Sequence, residues 1–179
     1  MITDAVTGLT VAADELIAAP PGLVWDLVAD VTRIGEWSPE CIRAAWLTVP
    51  GELAGARAGA RFTGHNRLRD GFEYDVTCVV TEADRPRSFA WVVLDDAGEP
   101  SSSWRYRIDP GPGGSLLRQR FTHGPGTSFL RQIADTAPDR AATVLAARLD
   151  RLRSNMTATL RAMKAAAESS QESTSPDRA

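Results

Sequence analysis

Amide side chains that could orient a ligand lie among aromatic residues on segments that alternate in polarity. Phe62, Gly64 and Asn66 share one face of a predicted strand, while polar and charged residues share the other face. Gln119 falls on the corresponding face of a later segment. A buried amide without a hydrogen-bond partner costs about 1–3 kcal/mol, and water or a ligand in a cavity removes this cost. The pattern therefore predicts a cavity within the protein.

Aromatic residues repeat on the same predicted inward face of several later segments. Rings with a few polar groups among them are typical of a pocket in which a mostly apolar ligand is oriented by hydrogen bonds. Methionine adapts to irregular spaces, so Met156 of the last helix is expected to touch the ligand. The alternative is that these side chains fill a solid core. The predicted cavity residues are Trp37, Phe62, Asn66, Tyr74, Trp91, Trp104, Tyr106, Gln119, Phe121, Leu152 and Met156.

Metal and nucleophilic chemistry have no recognisable motif in the sequence. His65 and His123 fall on separate strands and opposite faces, so they form no metal site with the two cysteines. No nucleophile elbow, phosphate-binding loop or dinucleotide-binding glycine motif occurs. His123 is interpreted as hydrogen-bonded to a loop rather than as an acid or base. Cys41, at the predicted cavity mouth, lacks a neighbouring base. The catalytic residues are unknown, and no metal or cofactor is expected.

Composition and charge narrow the partners and the location. The chain has 20 basic and 23 acidic side chains, a net charge of -3, which gives no global electrostatic case for nucleic acid. Its apolar runs are far shorter than the roughly 20 residues of a membrane-spanning helix, so no integral membrane association is expected. The N-terminus resembles no secretory signal, and two cysteines suggest reduced thiols, so a cytoplasmic location is expected. The sequence does not indicate the oligomeric state.

Period-two alternation predicts an antiparallel meander in the middle of the chain. Residues 9–18 form the first strand, and Pro20 and Pro21 then start an amphipathic helix that Gly35 ends. The later strands are joined by short turns rich in glycine and proline, which favours antiparallel neighbours. The six later strands are predicted at residues 42–49, 60–68, 72–82, 88–94, 102–108 and 116–123.

Helical spacing returns near the C-terminus. A short helix is predicted at 128–134 and a long one at 139–167, with a continuous apolar stripe of leucine and methionine. Residues 1–8 are expected to be a flexible N-terminus, 9–167 one ligand-binding domain and 168–179 a disordered tail. Arg148, Arg151 and Arg161 are interpreted as a solvated helix face. Glu73 and Asp75 are expected to pair with arginines on the outer sheet face, namely Arg105, Arg107, Arg118 and Arg120.

The element order and three segments resemble the START-like, or SRPBCC, superfamily. The segments are APPGLVWDLVADVTRIGEWSPE at 19–40, AWVV at 90–93 and SWRY at 103–106, and the last two resemble the polyketide cyclase/dehydrase branch. The resemblance covers residues 9–167. It implies an α+β helix-grip fold, with two short helices after the first strand and a curved seven-stranded antiparallel sheet wrapped around a long C-terminal helix. A deep cavity is implied between sheet and helix.

The resemblance also implies a hydrophobic ligand of the lipid, polyketide or isoprenoid type. In the cyclase members, cavity arginine and tyrosine side chains orient a poly-β-ketone. Here Tyr74 and Tyr106 could supply the hydroxyl, but the face bearing Asn66 has no cation, which favours binding over catalysis. One alternative is a polyketide cyclase, aromatase or dehydrase in which Tyr106, Asn66 and Gln119 orient an enolate and a tyrosine or His123 moves the proton. Another is an interaction module that uses the arginine-bearing sheet face.

Overall fold

Seven strands form one antiparallel sheet in the computed structural model, which describes residues 6–47 and 55–172. The strands are β1 (Thr10–Ile17), β2 (Cys41–Leu47), β3 (Arg61–Arg67), β4 (Glu73–Asp84), β5 (Ser88–Leu94), β6 (Pro100–Gly111) and β7 (Gly114–His123). Their spatial order is β1-β7-β6-β5-β4-β3-β2, so β2 to β7 form a meander and β1 pairs beside β7. This is the predicted arrangement, because short turns leave sequential strands as neighbours.

Two helices precede the meander in the sequence, and two follow it. They are α1 (Pro21–Ala29), α2 (Ile34–Trp37), α3 (Phe129–Thr136) and α4 (Pro138–Glu172), with a 3-10 turn at Val31–Arg33. Proline occupies the first turn of α1, where its missing N–H leaves no bond unmade. Ser128 caps α3 by accepting a hydrogen bond from the backbone N–H of Arg131. None of the described helices has the length and apolarity needed to cross a membrane.

The long helix α4 covers one face of the sheet, here called the inner face. Its apolar stripe is buried at Leu152, Met156, Leu160 and Met163. The helix packs mainly against β1, and its C-terminal half joins a core that includes Phe89 of β5. The protein therefore has the predicted α+β helix-grip fold, with the seven-stranded antiparallel sheet, the long C-terminal helix and the short helices after β1.

Gly35 does not end the helical segment, contrary to the prediction. It lies within α2, where a Cβ atom would come 2.1 Å from the carbonyl oxygen of Ile42. Glycine is required here because the backbones of α2 and β2 approach closely. Gly35 therefore marks a packing contact between α2 and β2, whereas the sequence pattern alone suggested that it ends a helix.

The β6–β7 connection is tighter than predicted. The strands continue until Gly111 pairs with Gly114, which leaves a two-residue turn in which Gly113 has a φ of 77°. Glycine adopts this conformation without steric cost. The run of glycine and proline after Ile108 had suggested a longer loop.

Both chain ends of the predicted domain extend further than expected. Val6 is buried and the Gly8 N–H donates to the carbonyl of His123 at 2.8 Å, so this part of the segment 1–8 is attached to the sheet. At the other end, Glu168 of α4 accepts a hydrogen bond from the Ala18 N–H at 2.8 Å, within the segment expected to be a disordered tail. Residues 1–5 and 173–179 lie outside the described residues, as do positions 48 and 49 of the second predicted strand.

Charged side chains cover the outer sheet face as predicted, but their partners differ. Arg105 pairs with Glu82 at 2.8 Å, and Asp109 bridges Arg107 and Arg118 at 3.0 and 2.9 Å. The expected partners of these arginines bind elsewhere. Asp75 and Glu73 instead contact the two ring nitrogens of His65, because residues on the paired strand β3 are nearer to them than those on β6.

His65 is held between two carboxylates, and its stability contribution is expected to depend on pH. Its Nδ1 lies 2.7 Å from Asp75 Oδ1 and its Nε2 lies 2.9 Å from Glu73 Oε2. These hydrogen bonds, that of Asp75 first, raise the pKa of the imidazole. The raised folded-state pKa adds stability below the unfolded pKa of about 6.5, and this stability is lost as pH rises through the folded pKa.

The measurement is urea denaturation of the wild type and His65→Gln at a series of pH values. The stability difference between them should be largest in mildly acidic solution and shrink as the pH becomes alkaline. A difference that grows with pH would contradict the assigned protonation.

Candidate functional site

A band of aromatic side chains crosses the inner face from one side of the sheet to the other. Its ring centroids are 5.6 Å apart for Trp46 and Phe62, 6.0 Å for Phe62 and Trp91, 6.1 Å for Trp91 and Trp104, and 4.9 Å for Trp104 and Phe121. Trp91 and Trp104 are stacked with an interplanar angle of 7°. These five residues, here called the aromatic band, come from β2, β3, β5, β6 and β7.

The centre of the aromatic band remains accessible. Trp91 and Trp104 are only half-buried, although both lie on inner-face positions of central strands. The reason is the position of α4, which packs on the β1 side, where Leu152 and Met156 meet Val11. A surface of flat apolar rings is suited to an apolar or aromatic ligand.

Three buried side-chain polar atoms lack partners among the described residues: Ser88 Oγ and one atom each of the predicted cavity residues Gln119 and Trp37. Gln119 donates from its Nε2 to the hydroxyl of Tyr106 at 3.0 Å, but its Oε1 is buried and accepts no hydrogen bond from any described residue. The indole Nε1–H of Trp37 is also buried and finds no acceptor among them. One acceptor and one donor are thus left for a ligand or for water, and leaving them unpaired would cost about 1–3 kcal/mol each.

The structure separates the predicted cavity residues into three groups. The buried interior group is Trp37, Phe62, Tyr106, Gln119, Phe121, Leu152 and Met156. Trp91 and Trp104 adjoin it and are half-buried. Asn66 and Tyr74 are also half-buried and lie directly opposite each other on β3 and β4, at the end of the sheet where β2 begins. We refer to this end as the open end.

A polar cluster at the open end was not anticipated. The Glu40 carboxylate accepts two hydrogen bonds from the Arg148 guanidinium, at 2.7 and 2.8 Å, one from Asn155 Nδ2 at 2.9 Å and one from the Tyr74 hydroxyl at 3.3 Å. We call these four residues the Glu40 cluster. It ties α4 to β4 and to the segment before β2, so it bridges the helix and sheet at the border of the aromatic interior.

Within the Glu40 cluster, the positive charge of Arg148 compensates the negative charge of Glu40. Burial by itself would raise the pKa of Glu40, but the hydrogen bonds and charge of Arg148, with those of Tyr74 and Asn155, hold that pKa below its usual value. Burial, together with the Glu40 charge, raises the pKa of Tyr74 to about 12. Tyr74 therefore stays protonated and donates, while Glu40 stays ionised.

Arg148 corrects the interpretation of the helix arginines as a solvated face. Arg148, Leu152 and Asn155 are spaced by four and three residues, so they share one face of α4 beside the apolar stripe. Leu152 is buried on that face. The spacing was a usable signal for an inward arginine. Its partner, Glu40, follows Ser38 and Pro39 in an irregular segment and had no periodic signal.

Burial shifts the pKa of both remaining candidates for chemistry, Cys41 and His123. Burial raises the pKa of the Cys41 thiol to about 11, which disfavours a nucleophilic thiolate. His123 contacts the carbonyl of Gly124 and the hydroxyl of Ser128, both at 2.9 Å, and burial lowers its pKa. His123 is thus bound to the following loop. Among the described residues, no three histidine, cysteine or acidic side chains are grouped to hold a metal ion.

A larger groove on the outer face is unsuited to an apolar ligand. It has a volume of about 370 Å³ and is bordered by charged residues that include Glu82, Arg105 and Asp109. These charges are engaged in the ion pairs described above. Displacing them would expose ionic groups to an apolar molecule, so the inner face remains the candidate site.

The fold and its aromatic inner face define a helix-grip protein. The chain belongs to the family described as polyketide cyclase / dehydrase and lipid transport, whose family model matches residues 9–168. This confirms the START-like resemblance. No curated protein matches the sequence.

Several solved structures share this architecture. The Polyketide_cyc-like protein Cgl2372 from Corynebacterium glutamicum is 28% identical, with 96% of this chain and 99% of that chain covered and a TM-score of 0.65. The di-domain ARO/CYC StfQ from the steffimycin biosynthetic pathway is 16% identical, with 94% and 53% covered and a TM-score of 0.69. Protein NE0264 from Nitrosomonas europaea is 13% identical, with 92% and 97% covered and a TM-score of 0.63. The latter two similarities concern the fold.

Proposed function

We propose that this protein binds a largely apolar, ring-containing small molecule of the polyketide type on its inner face. The observation that carries the proposal is the accessible aromatic band in front of Trp91 and Trp104, which α4 does not close. Stacking against two parallel indoles favours flat conjugated ligands over saturated chains. Family membership supports the class of ligand, and it leaves lipids and isoprenoids as competitors in the binding test.

The polar atoms of the ligand would pair with Gln119 and Tyr106, which have unused hydrogen-bonding capacity. Gln119 Oε1 accepts no bond from a described residue, so a ligand hydroxyl that donates to it would recover a lost hydrogen bond. The Tyr106 hydroxyl already accepts from Gln119 Nε2, which leaves its own proton for a ligand carbonyl. Burial raises the pKa of Tyr106, so this proton is retained. A ligand with both hydroxyl and carbonyl groups matches this pair.

The test begins with native mass spectrometry of freshly purified protein, followed by tryptophan fluorescence titrations. Flavonoids and quinones represent the proposed class, and fatty acids represent the lipid alternative. We expect micromolar quenching by the ring compounds and weaker binding of fatty acids. If no compound binds at micromolar concentration, the proposal fails.

Gln119→Leu is expected to weaken binding of a hydroxylated ring compound by about 2- to 10-fold, the value of one hydrogen bond. A ring compound of the same shape without the hydroxyl should lose much less. Gln132→Leu on α3 is the matched control, since Gln132 is exposed. Equal losses for both ligands would show that Gln119 acts through packing alone.

A cyclase or dehydrase activity is the second candidate, favoured by the Tyr106 proton. A hydroxyl held by Gln119 at 3.0 Å could polarise a ketone or stabilise an enolate. The test compares the products of a reconstituted minimal polyketide synthase with and without this protein, and then with Tyr106→Phe. An unchanged product profile with the wild-type protein would exclude this activity for the polyketide used.

We also propose that the protein is cytoplasmic. The two cysteines, Cys41 and Cys78, are free thiols, which supports a reducing compartment.

An interaction role for the outer face has less support, because Arg105, Arg107 and Arg118 are already engaged by carboxylates.

A further inference from the structure

A small pocket lies at the open end and is lined in part by the Glu40 cluster. It has a volume of about 60 Å³ and is formed by three parts of the chain: Pro39 and Glu40 before β2, residues 67–69 at the end of β3, and Arg151 with Asn155 on α4. Three of its lining residues, Arg67, Arg69 and Arg151, are arginines. Arginines from the end of β3, from the β3–β4 turn and from α4 therefore line the same pocket.

The charges around this pocket do not balance within the protein. Glu40 is the acidic residue among its lining residues, and its carboxylate is already bound by Arg148 and Asn155. Arg67 donates to Glu73. Arg69 and Arg151, in contrast, form no ion pair with any residue in the described ranges 6–47 and 55–172.

The burial of Arg151 makes this imbalance significant. Arg151 is half-buried, whereas Arg69 is exposed, and both residues line the same pocket. Two guanidinium groups without a carboxylate partner repel each other when they line one pocket, and water screens the charge of the half-buried Arg151 less than it would on an open surface. An anion bound between them would remove the repulsion and satisfy their N–H groups.

We propose that this pocket binds a phosphate monoester dianion. A phosphate monoester carries about -1.5 to -2 charges at pH 7, which matches the two unpaired guanidinium groups. A carboxylate carries one charge and would leave one of the cations uncompensated. Arginine forks donate paired hydrogen bonds to phosphate oxygens, and forks from two directions suit a tetrahedral anion better than a planar one.

The phosphate has two possible sources, free phosphate or a phosphorylated amphiphile whose apolar part enters the interior. The second source rests on the proposed function. It is supported by Glu40, which lines the pocket on one side and binds Tyr74 and Arg148 on the other. A ligand anchored at the pocket would thus lie at the border of the inner face.

The first experiment titrates inorganic phosphate into the full-length protein by calorimetry in a zwitterionic buffer at constant ionic strength. Phosphate should bind more tightly than acetate. Arg69→Gln and Arg151→Gln should each weaken phosphate binding by about tenfold, with a larger loss in the double variant. Arg161→Gln is the matched control, because Arg161 is an exposed arginine of the same helix outside the pocket.

Circular dichroism establishes that each variant is folded before its affinity is interpreted. Absence of phosphate binding, equal binding of acetate, or an equal loss in Arg161→Gln would overturn the proposal. These outcomes do not depend on any ligand of the aromatic band, so failure here is distinguishable from failure of the proposed function.

The second experiment identifies the source by comparing decyl phosphate with decanol below their aggregation concentrations. If decyl phosphate binds more tightly than both decanol and inorganic phosphate, and Arg151→Gln reduces it to the level of decanol, the pocket anchors an amphiphile. If the alkyl chain adds no affinity while inorganic phosphate still binds, the site takes free phosphate and the amphiphile is excluded.

Discussion

Replacing Arg148 by methionine is expected to destabilise the protein by about 3 kcal/mol, because it leaves the Glu40 carboxylate buried without its cation. The side chain of Glu40 is 14% exposed and that of Arg148 is 25% exposed, so residual solvent keeps the loss at the lower end of the range for broken buried pairs. Methionine preserves much of the aliphatic volume of arginine. The loss should therefore be electrostatic, and it is measured by urea denaturation at neutral pH.

The contribution of Glu40 to the free energy of unfolding should depend on pH with opposite signs in Arg148→Met and in the wild type. In the wild type, the pKa of Glu40 is lowered, so its contribution is present above the unfolded pKa and is lost as pH falls through the folded pKa. Without Arg148, burial dominates and the pKa of Glu40 rises above its unfolded value. Stability of Arg148→Met relative to wild type should then improve as the solution becomes acidic.

Two further variants test the assignment. In the double variant Glu40→Gln/Arg148→Met no buried charge remains, so it should be more stable than Arg148→Met alone. Arg153→Met is the matched control: the Arg153 side chain is 61% exposed, and its replacement should change stability by no more than about 0.5 kcal/mol. A similar loss in Arg153→Met, or no recovery in the double variant, would show that the Glu40 cluster contributes little.

The inner face could be predicted from sequence because its signal is periodic. Alternation along each strand placed Phe62, Trp91 and Tyr106 on the face that α4 covers, and all three are on that face. Period two in a strand requires no knowledge of the partner strand. The strand predicted at residues 72–82 begins one residue later in the structure, where Phe72 precedes β4 and is 62% exposed.

The open end could not be predicted in the same way because its contacts join residues far apart in the sequence. Glu40 and Arg148 are separated by 108 positions, and their pairing depends on where α4 crosses the sheet. The charge of Arg148 did not indicate that its side chain points inward either, since arginine on a helix is more often solvated than buried. Close backbone approaches such as that at Gly35 are likewise set by packing between elements, which local turn propensity does not encode.

Leu152→Ala is expected to cost about 2–5 kcal/mol, because Leu152 is buried against Val11 and Phe121 and its removal leaves a cavity. Met156 belongs to the same cluster and is equally buried, each residue being 2% exposed. Its unbranched side chain adapts to irregular surroundings, so Met156→Ala should cost about 2 kcal/mol, the low end of the range.

The two variants should differ in ligand preference as well as in stability. Met156 and Phe121 share a cluster that Trp104 adjoins, so truncating Met156 enlarges the space beside the aromatic band and should shift preference toward bulkier ring compounds. Competition binding of a small and a bulky flavonoid measures this shift, and urea denaturation measures the stability of each variant. Leu145→Ala, at a half-buried position of the same stripe, is the control for truncation of α4. Equal stability losses with an unchanged ligand ranking would mean that α4 seals a solid core at Met156, and that any ligand lies further toward β5.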